Sequence, residues 1–111
     1  MAGMKIKGKN IVHTRGDTAV LRPNLRVNGE PFTVREGDVL TFSVKKNLKD
    51  SDYIFRKTAE NGVFVFRQGD TQTVPFGNYW YDIELKLEEG QVVTVVGPAQ
   101  YQLTADVTGG A

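Results

Sequence analysis

Acid–base catalysis near neutral pH needs a group that exchanges protons there, and the chain offers one histidine, His13, with no cysteine. Without thiols there is no disulfide scaffold, thiol nucleophile, iron–sulfur cluster or thiolate zinc site, and one histidine excludes a multi-histidine metal centre within one chain. Asp17 lies four residues beyond His13 but belongs to a Gly16-Asp17 turn, and no G-x-S-x-G elbow is present. His13 is therefore expected to be a surface or edge-strand residue. Asp82 and Glu84 stand two apart, so on a strand they share a face, the minimum geometry for the paired carboxylates of glycoside hydrolysis or of a divalent-cation site. Lys86 continues that face, which points instead to cross-strand charge pairing on a solvent-facing side. Asp50 and Asp52 fall in the most polar stretch, Asn47 to Asp52, and no D-x-[DN]-x-[DN]-G series surrounds them, so a solvated loop is expected. No catalytic residue, metal ligand or cofactor-binding residue is assigned.

Lys45, Lys46 and Lys49 form a small basic patch near Tyr53 and Phe55, but 14 basic against 13 acidic residues leave a net charge of +1 and no broad stripe for nucleic acid. The glycines are dispersed at turns, and none opens a helix that would receive phosphate. Trp80, the single tryptophan, is the unusual residue. If Tyr79, Tyr81 and Ile83 face a core, Trp80 points outward among acids, where a large aromatic calls for cover. Three kinds of cover remain open: packing against a neighbouring strand, contact with a protein partner through Trp80, Asp82 and Glu84, or stacking of a carbohydrate on the indole.

The elements that would position these residues are strands. Period-two alternation is broken every eight to twelve residues by glycine-containing turns, an antiparallel β pattern. Val39–Lys46 places Leu40, Phe42 and Val44 on one face, and Asn78–Leu87 does the same with Tyr79, Tyr81, Ile83, Leu85 and Leu87. Shorter strands are expected at 11–14, 18–27 with an interruption at Pro23, 32–34, 53–57, 63–67 and 91–96, and again where Tyr101, Leu103, Ala105 and Val107 alternate. Asn28-Gly29 and Asn61-Gly62 are turn signals. About seven or eight antiparallel strands and no convincing helix in 111 residues predict an all-β fold, a β-sandwich in preference to a barrel. The expected core is Leu40, Phe42, Val44, Tyr79, Tyr81, Ile83, Leu85, Val93, Val95, Tyr101 and Leu103, joined by Leu25 and Phe66. One sandwich over 11–108 is expected, with a flexible or partly ordered segment at 1–10 and a frayed end at 109–111. Lys5, Lys7 and Lys9 precede no apolar run of signal-peptide length, so neither a signal peptide nor a membrane helix is expected. Met1-Ala2-Gly3 reads equally as an added start before Met4 or as an ordinary frayed terminus.

Several segments together carry a resemblance. They are His13 to Thr18, Asn28-Gly29-Glu30-Pro31-Phe32, Glu36 to Lys46, Phe76 to Leu85, and the G-x-x-x-T-V-V-G run from Gly90 to Gly97. Over about Ile11 to Val107 the chain resembles the small immunoglobulin-like β-sandwich domains of tailed-phage and prophage structural proteins, and is similar to the N-terminal domain of upper baseplate proteins. The resemblance implies a non-enzymatic virion component, made in the bacterial host cytoplasm, that attaches assemblies by protein–protein contact. Its implied partners are phage structural proteins or further copies of itself; neither nucleic acid nor membrane is implied, and a carbohydrate-binding module using Trp80 is the alternative. Those relatives carry further domains after the sandwich, whereas this chain ends at Ala111. It is therefore expected to be a stand-alone tail or neck accessory, or a fragment.

Overall fold

In a computed structural model of the chain, residues 4–105 are described. The three leading residues, the Val107 end of the last expected strand and the 109–111 terminus lie outside them. The strands are β1 (Met4–Lys7), β2 (Asn10–Thr14), β3 (Ala19–Leu21), β4 (Arg26–Val27), β5 (Glu30–Pro31), β6 (Val39–Lys45), β7 (Phe55–Thr58) and β8 (Phe64–Phe66). A single helical turn, α1 (Gln68–Thr71), precedes β9 (Gly77–Lys86) and β10 (Val92–Thr104). No helix among the described residues is long and apolar enough to cross a membrane.

Six strands form one sheet in the order β1-β2-β10-β9-β6-β7, while β3 pairs with β8 and β4 with β5 in two small sheets. The domain is mostly β and multi-sheet, but two features depart from the expected antiparallel sandwich. There are three sheets where two were expected, and β2 runs parallel to β10, with Tyr101 beside Ile11 and Leu103 beside His13. The expected strand over 18–27 divides at Arg22–Leu25, since Pro23 has no N–H for a ladder and its flanks join different sheets. The pieces expected at 91–96 and beyond Tyr101 are instead one strand, β10. The 32–34 segment is not a strand; pairing stops at Pro31, and the Phe32 N–H donates to the Leu25 carbonyl at 3.0 Å.

Alternation decides which residues meet. On the inner face of the large sheet β6 contributes Leu40, Phe42 and Val44, β9 contributes Tyr79, Tyr81, Ile83 and Leu85, and β10 contributes Ala99, Tyr101 and Leu103, all buried. From the other side Leu21, Phe64 and Phe66 of β3 and β8 close the core. Phe42 lies at its centre, its ring stacked on Tyr81 at 4.8 Å and meeting Phe66 at 5.3 Å, Phe64 at 5.5 Å and Tyr101 at 5.9 Å. Two residues of the expected core, Val93 and Val95, are only partly buried. His13 is the clearest correction: it is fully buried, because the parallel pairing places it beside Leu103 in an interior strand.

Two Asn-Gly turns take up the backbone twist as read from the sequence, with positive φ at Asn28 and Gly29 between β4 and β5 and at Asn61 and Gly62 ahead of β8. Before β6, Gly37 has φ of +92°, and Asp38 ties this turn to the end of β9 by accepting from the Arg35 and Glu88 N–H groups. A Cβ at Gly37 would approach the flexible Glu88 side chain within 2.7 Å. Gly37→Ala is expected to cost about 1–3 kcal/mol, mostly from the backbone because Glu88 can move aside. Urea unfolding measures this, and an unchanged midpoint would contradict the positive φ.

Candidate functional site

The outer face of the large sheet carries the side chains that the core excludes. Along β9 these are Asn78, Trp80, Asp82 and Glu84; beside them on β6 stand Lys45 opposite Trp80, Ser43 opposite Asp82 and Thr41 opposite Glu84. The expected ion pairing does not form on this face: Asp82 meets a serine, Glu84 lies between Thr41 and Thr94, and neither acid has an ion-pair partner among the described residues.

On the other side of Asp82 the sheet is irregular. Ile83 pairs with Val96 and Tyr81 with Ala99, so β10 sets two residues, Gly97 and Pro98, against one on β9. This is a β-bulge, and a second irregularity lies between Thr94 and Val96. Proline suits the position because it has no N–H to leave unpaired. The bulge opens a pocket of about 250 Å³ lined by Ser43, Lys45, Tyr53, Trp80, Asp82 and Pro98, with Leu48 at its edge.

The pocket combines aromatic walls with charges that are close but unpaired. Trp80 is half-buried. The Lys45 ammonium lies 5.0 Å and the Arg56 guanidinium 4.4 Å from the Tyr53 ring centre, as cations favour an aromatic face. Arg56 donates from Nε to the Ser43 hydroxyl at 3.1 Å, and Ser43 is buried although it lies on the outward face. Burial pushes the Asp82 carboxyl above the usual aspartate value; Glu84 adds to the rise, while Lys45 and Arg56 oppose it.

Of the three residues expected to bind a partner, Trp80 and Asp82 meet in this pocket and Glu84 lies one step beyond its lining. Tyr53 and Lys45, read from the sequence only as part of a basic patch, belong to it; Phe55, from the same patch, is partly buried against the core. Arg56 and Pro98 were missed. A proline inside an otherwise strand-like run was the available signal for the bulge. Asp50 closes its own loop by accepting from the Asn47 N–H at 3.1 Å, and no group of three or more potential metal ligands gathers among the described residues.

His13 lies away from this face, sealed between the layers. Its Nε2 is 2.9 Å from the Asp17 carbonyl oxygen, which can only accept, so Nε2 carries the proton. Nδ1, 2.6 Å from the Tyr101 hydroxyl, is then the acceptor. Burial lowers the histidine pKa and holds the ring neutral, despite the backbone hydrogen bond and nearby charges of Asp17 and Asp70.

Comparison with protein-family models, with curated proteins and with solved structures finds no match to this chain.

Proposed function

We propose that this chain is a non-enzymatic adaptor domain that works through protein–protein contacts, with the Trp80 pocket as its anchoring site. The observation that carries the proposal is the grouping of Trp80, Tyr53, Lys45 and Asp82, with Arg56 beside them, at a bulge on a sheet face that the second layer leaves open. Tryptophan, tyrosine and arginine are the residues enriched at the energetic centres of protein interfaces.

An immunoglobulin-like architecture is part of the proposal. Its support is the order β7-β6-β9-β10, matching the C′-C-F-G strands of such domains, with β3 and β8 in the places of B and E. At the start of β9 the Tyr79 hydroxyl donates to the Pro75 carbonyl at 2.6 Å, the geometry of a tyrosine corner. On this reading Tyr81, two residues on, takes the place of a disulfide cysteine of antibody domains and Phe42 on β6 that of their core tryptophan, and the two rings stack. Together with the sequence resemblance, this favours an attachment domain of a tailed-phage or prophage structural assembly.

A photo-crosslinking amino acid in place of Leu48, at the pocket edge, tests the site in cells that carry the gene. Polypeptide adducts lost on Trp80→Ala are the expected result. Glycan adducts would replace the proposal with the carbohydrate alternative, and adducts insensitive to Trp80 would remove the pocket from the interface.

A further inference from the structure

We infer that the edge strand β1 accepts an added β-strand from a different chain, one in which acidic and apolar residues alternate. Among the described residues β1 ends the six-stranded sheet and pairs only with β2, so one row of its backbone N–H and C=O groups faces away from the ladder. Its two faces differ. Lys5 and Lys7, paired with Val12 and Asn10, lie on the outer face, while Met4 and Ile6, paired with His13 and Ile11, lie on the core side.

Ile6 is 52% exposed although it is on the core side. It borders a mostly apolar groove of about 310 Å³ between the large sheet and the Leu21–Asn24 segment, lined also by Ile11, Leu21, Pro23, Ile83 and Val96. Lys9 and Arg22 belong to the same groove. Successive residues of an added strand would therefore meet two environments: apolar side chains would extend the core beside Ile6, and the alternate ones would stand next to Lys5 and Lys7.

Charge selects the occupant. β1, β2 and β10 contain no carboxylate, and Lys5, Lys7, Lys9 and Arg22 have no ion-pair partner among the described residues. Lysines on an edge strand discourage indiscriminate pairing, and a second copy of β1 would bring lysine against lysine. An acidic strand meets no such repulsion. The edge that is closed to its own kind is thus open to a partner of opposite sign.

The probe is a capped Glu-Val-Glu-Val-Glu-Val peptide, titrated into the full isotope-labelled chain and followed by NMR. Saturable shifts are expected at the amides of Met4–Lys7 and the methyl groups of Ile6, Leu21 and Val96 at peptide concentrations up to about 2 mM. Exchanging both lysines in a Lys5→Glu, Lys7→Glu variant should weaken binding at least about tenfold and make a Lys-Val peptide the better ligand. Both positions are exposed, and an unchanged spectrum elsewhere shows that the variant has folded. No saturable shift at β1, shifts confined to another surface, or equal binding of the Glu-Val and Lys-Val peptides by the unmodified chain would overturn the inference. So would a light-scattering dimer abolished by the double exchange, since the occupant would then be a second copy. The edge and the Trp80 pocket are separate, so crosslinking at one and titration at the other succeed or fail independently.

Discussion

Replacing Phe42 with alanine is expected to destabilise the domain by about 3–5 kcal/mol, a large part of the roughly 5–15 kcal/mol that holds a typical domain folded. The ring has no solvent exposure and touches both layers: Tyr81 and Tyr101 in the large sheet, Phe64 and Phe66 in the small one. Its removal leaves a hole bordered by other large rings, which cannot all turn inward because their own strands fix them. Denaturant unfolding should show the whole transition displaced to a lower midpoint. Phe42→Leu, which retains most of the apolar volume, should recover a substantial part of the loss. A Phe42→Ala midpoint equivalent to less than about 1 kcal/mol would mean that the two layers do not meet through this ring.

The second large effect is a dependence of stability on pH set by His13. Its pKa is lowered in the folded protein from the ordinary 6.5, so the unfolded chain takes up the proton more readily. The contribution of neutral His13 is fully present above about pH 6.5 and declines as pH falls from there towards the folded pKa, by at most about 1.4 kcal/mol per pH unit. Protonation also disrupts the local bonding, because a charged ring has a proton on Nδ1 and can no longer accept from the Tyr101 hydroxyl. Carboxylates held low by their partners, Asp38, Glu60 and Asp70, weaken the fold in the same direction but only at more acidic pH. Unfolding midpoints measured between pH 5 and 8 should fall on the acidic side for the unmodified protein. In His13→Gln that slope should vanish, although overall stability will be lower. Persistence of the slope in the variant would assign it elsewhere. Tyr101→Phe, which leaves Nδ1 without a donor, should cost about 1–3 kcal/mol at neutral pH.

What could be read from the sequence was what alternation controls. The inward residues of β6 and β9, both Asn-Gly turns and the outward direction of Trp80 all follow from a period of two and from the φ values that asparagine and glycine tolerate. What pairing controls was not legible. Alternation in β2 puts Ile11 and His13 on one face but does not show that this face is interior; that follows from the parallel neighbour β10, some 90 positions away in sequence. The same limit applies to the site. Trp80 and Asp82 are adjacent on a face of one strand and could be paired by inspection, whereas Tyr53, Arg56 and Pro98 reach them only through the lateral order β7-β6-β9-β10 and the extra residue at the bulge.

The position of β10 has a consequence for how the chain reaches this state. The last strand among the described residues is interior to the large sheet, hydrogen-bonded to β2 on one side and β9 on the other, and it supplies Ala99, Tyr101 and Leu103 to the core. While the chain is being synthesised, β2 therefore has no route into the rest of the sheet until β10 has been made. Assembly must close a loop between strands some 90 residues apart, the kind of long-range pairing that slows β proteins to milliseconds or seconds. Until then the aromatic face of β6 and β9 stays partly uncovered, so the interval between emergence and closure, more than the finished fold, is when this protein is most exposed to misassembly.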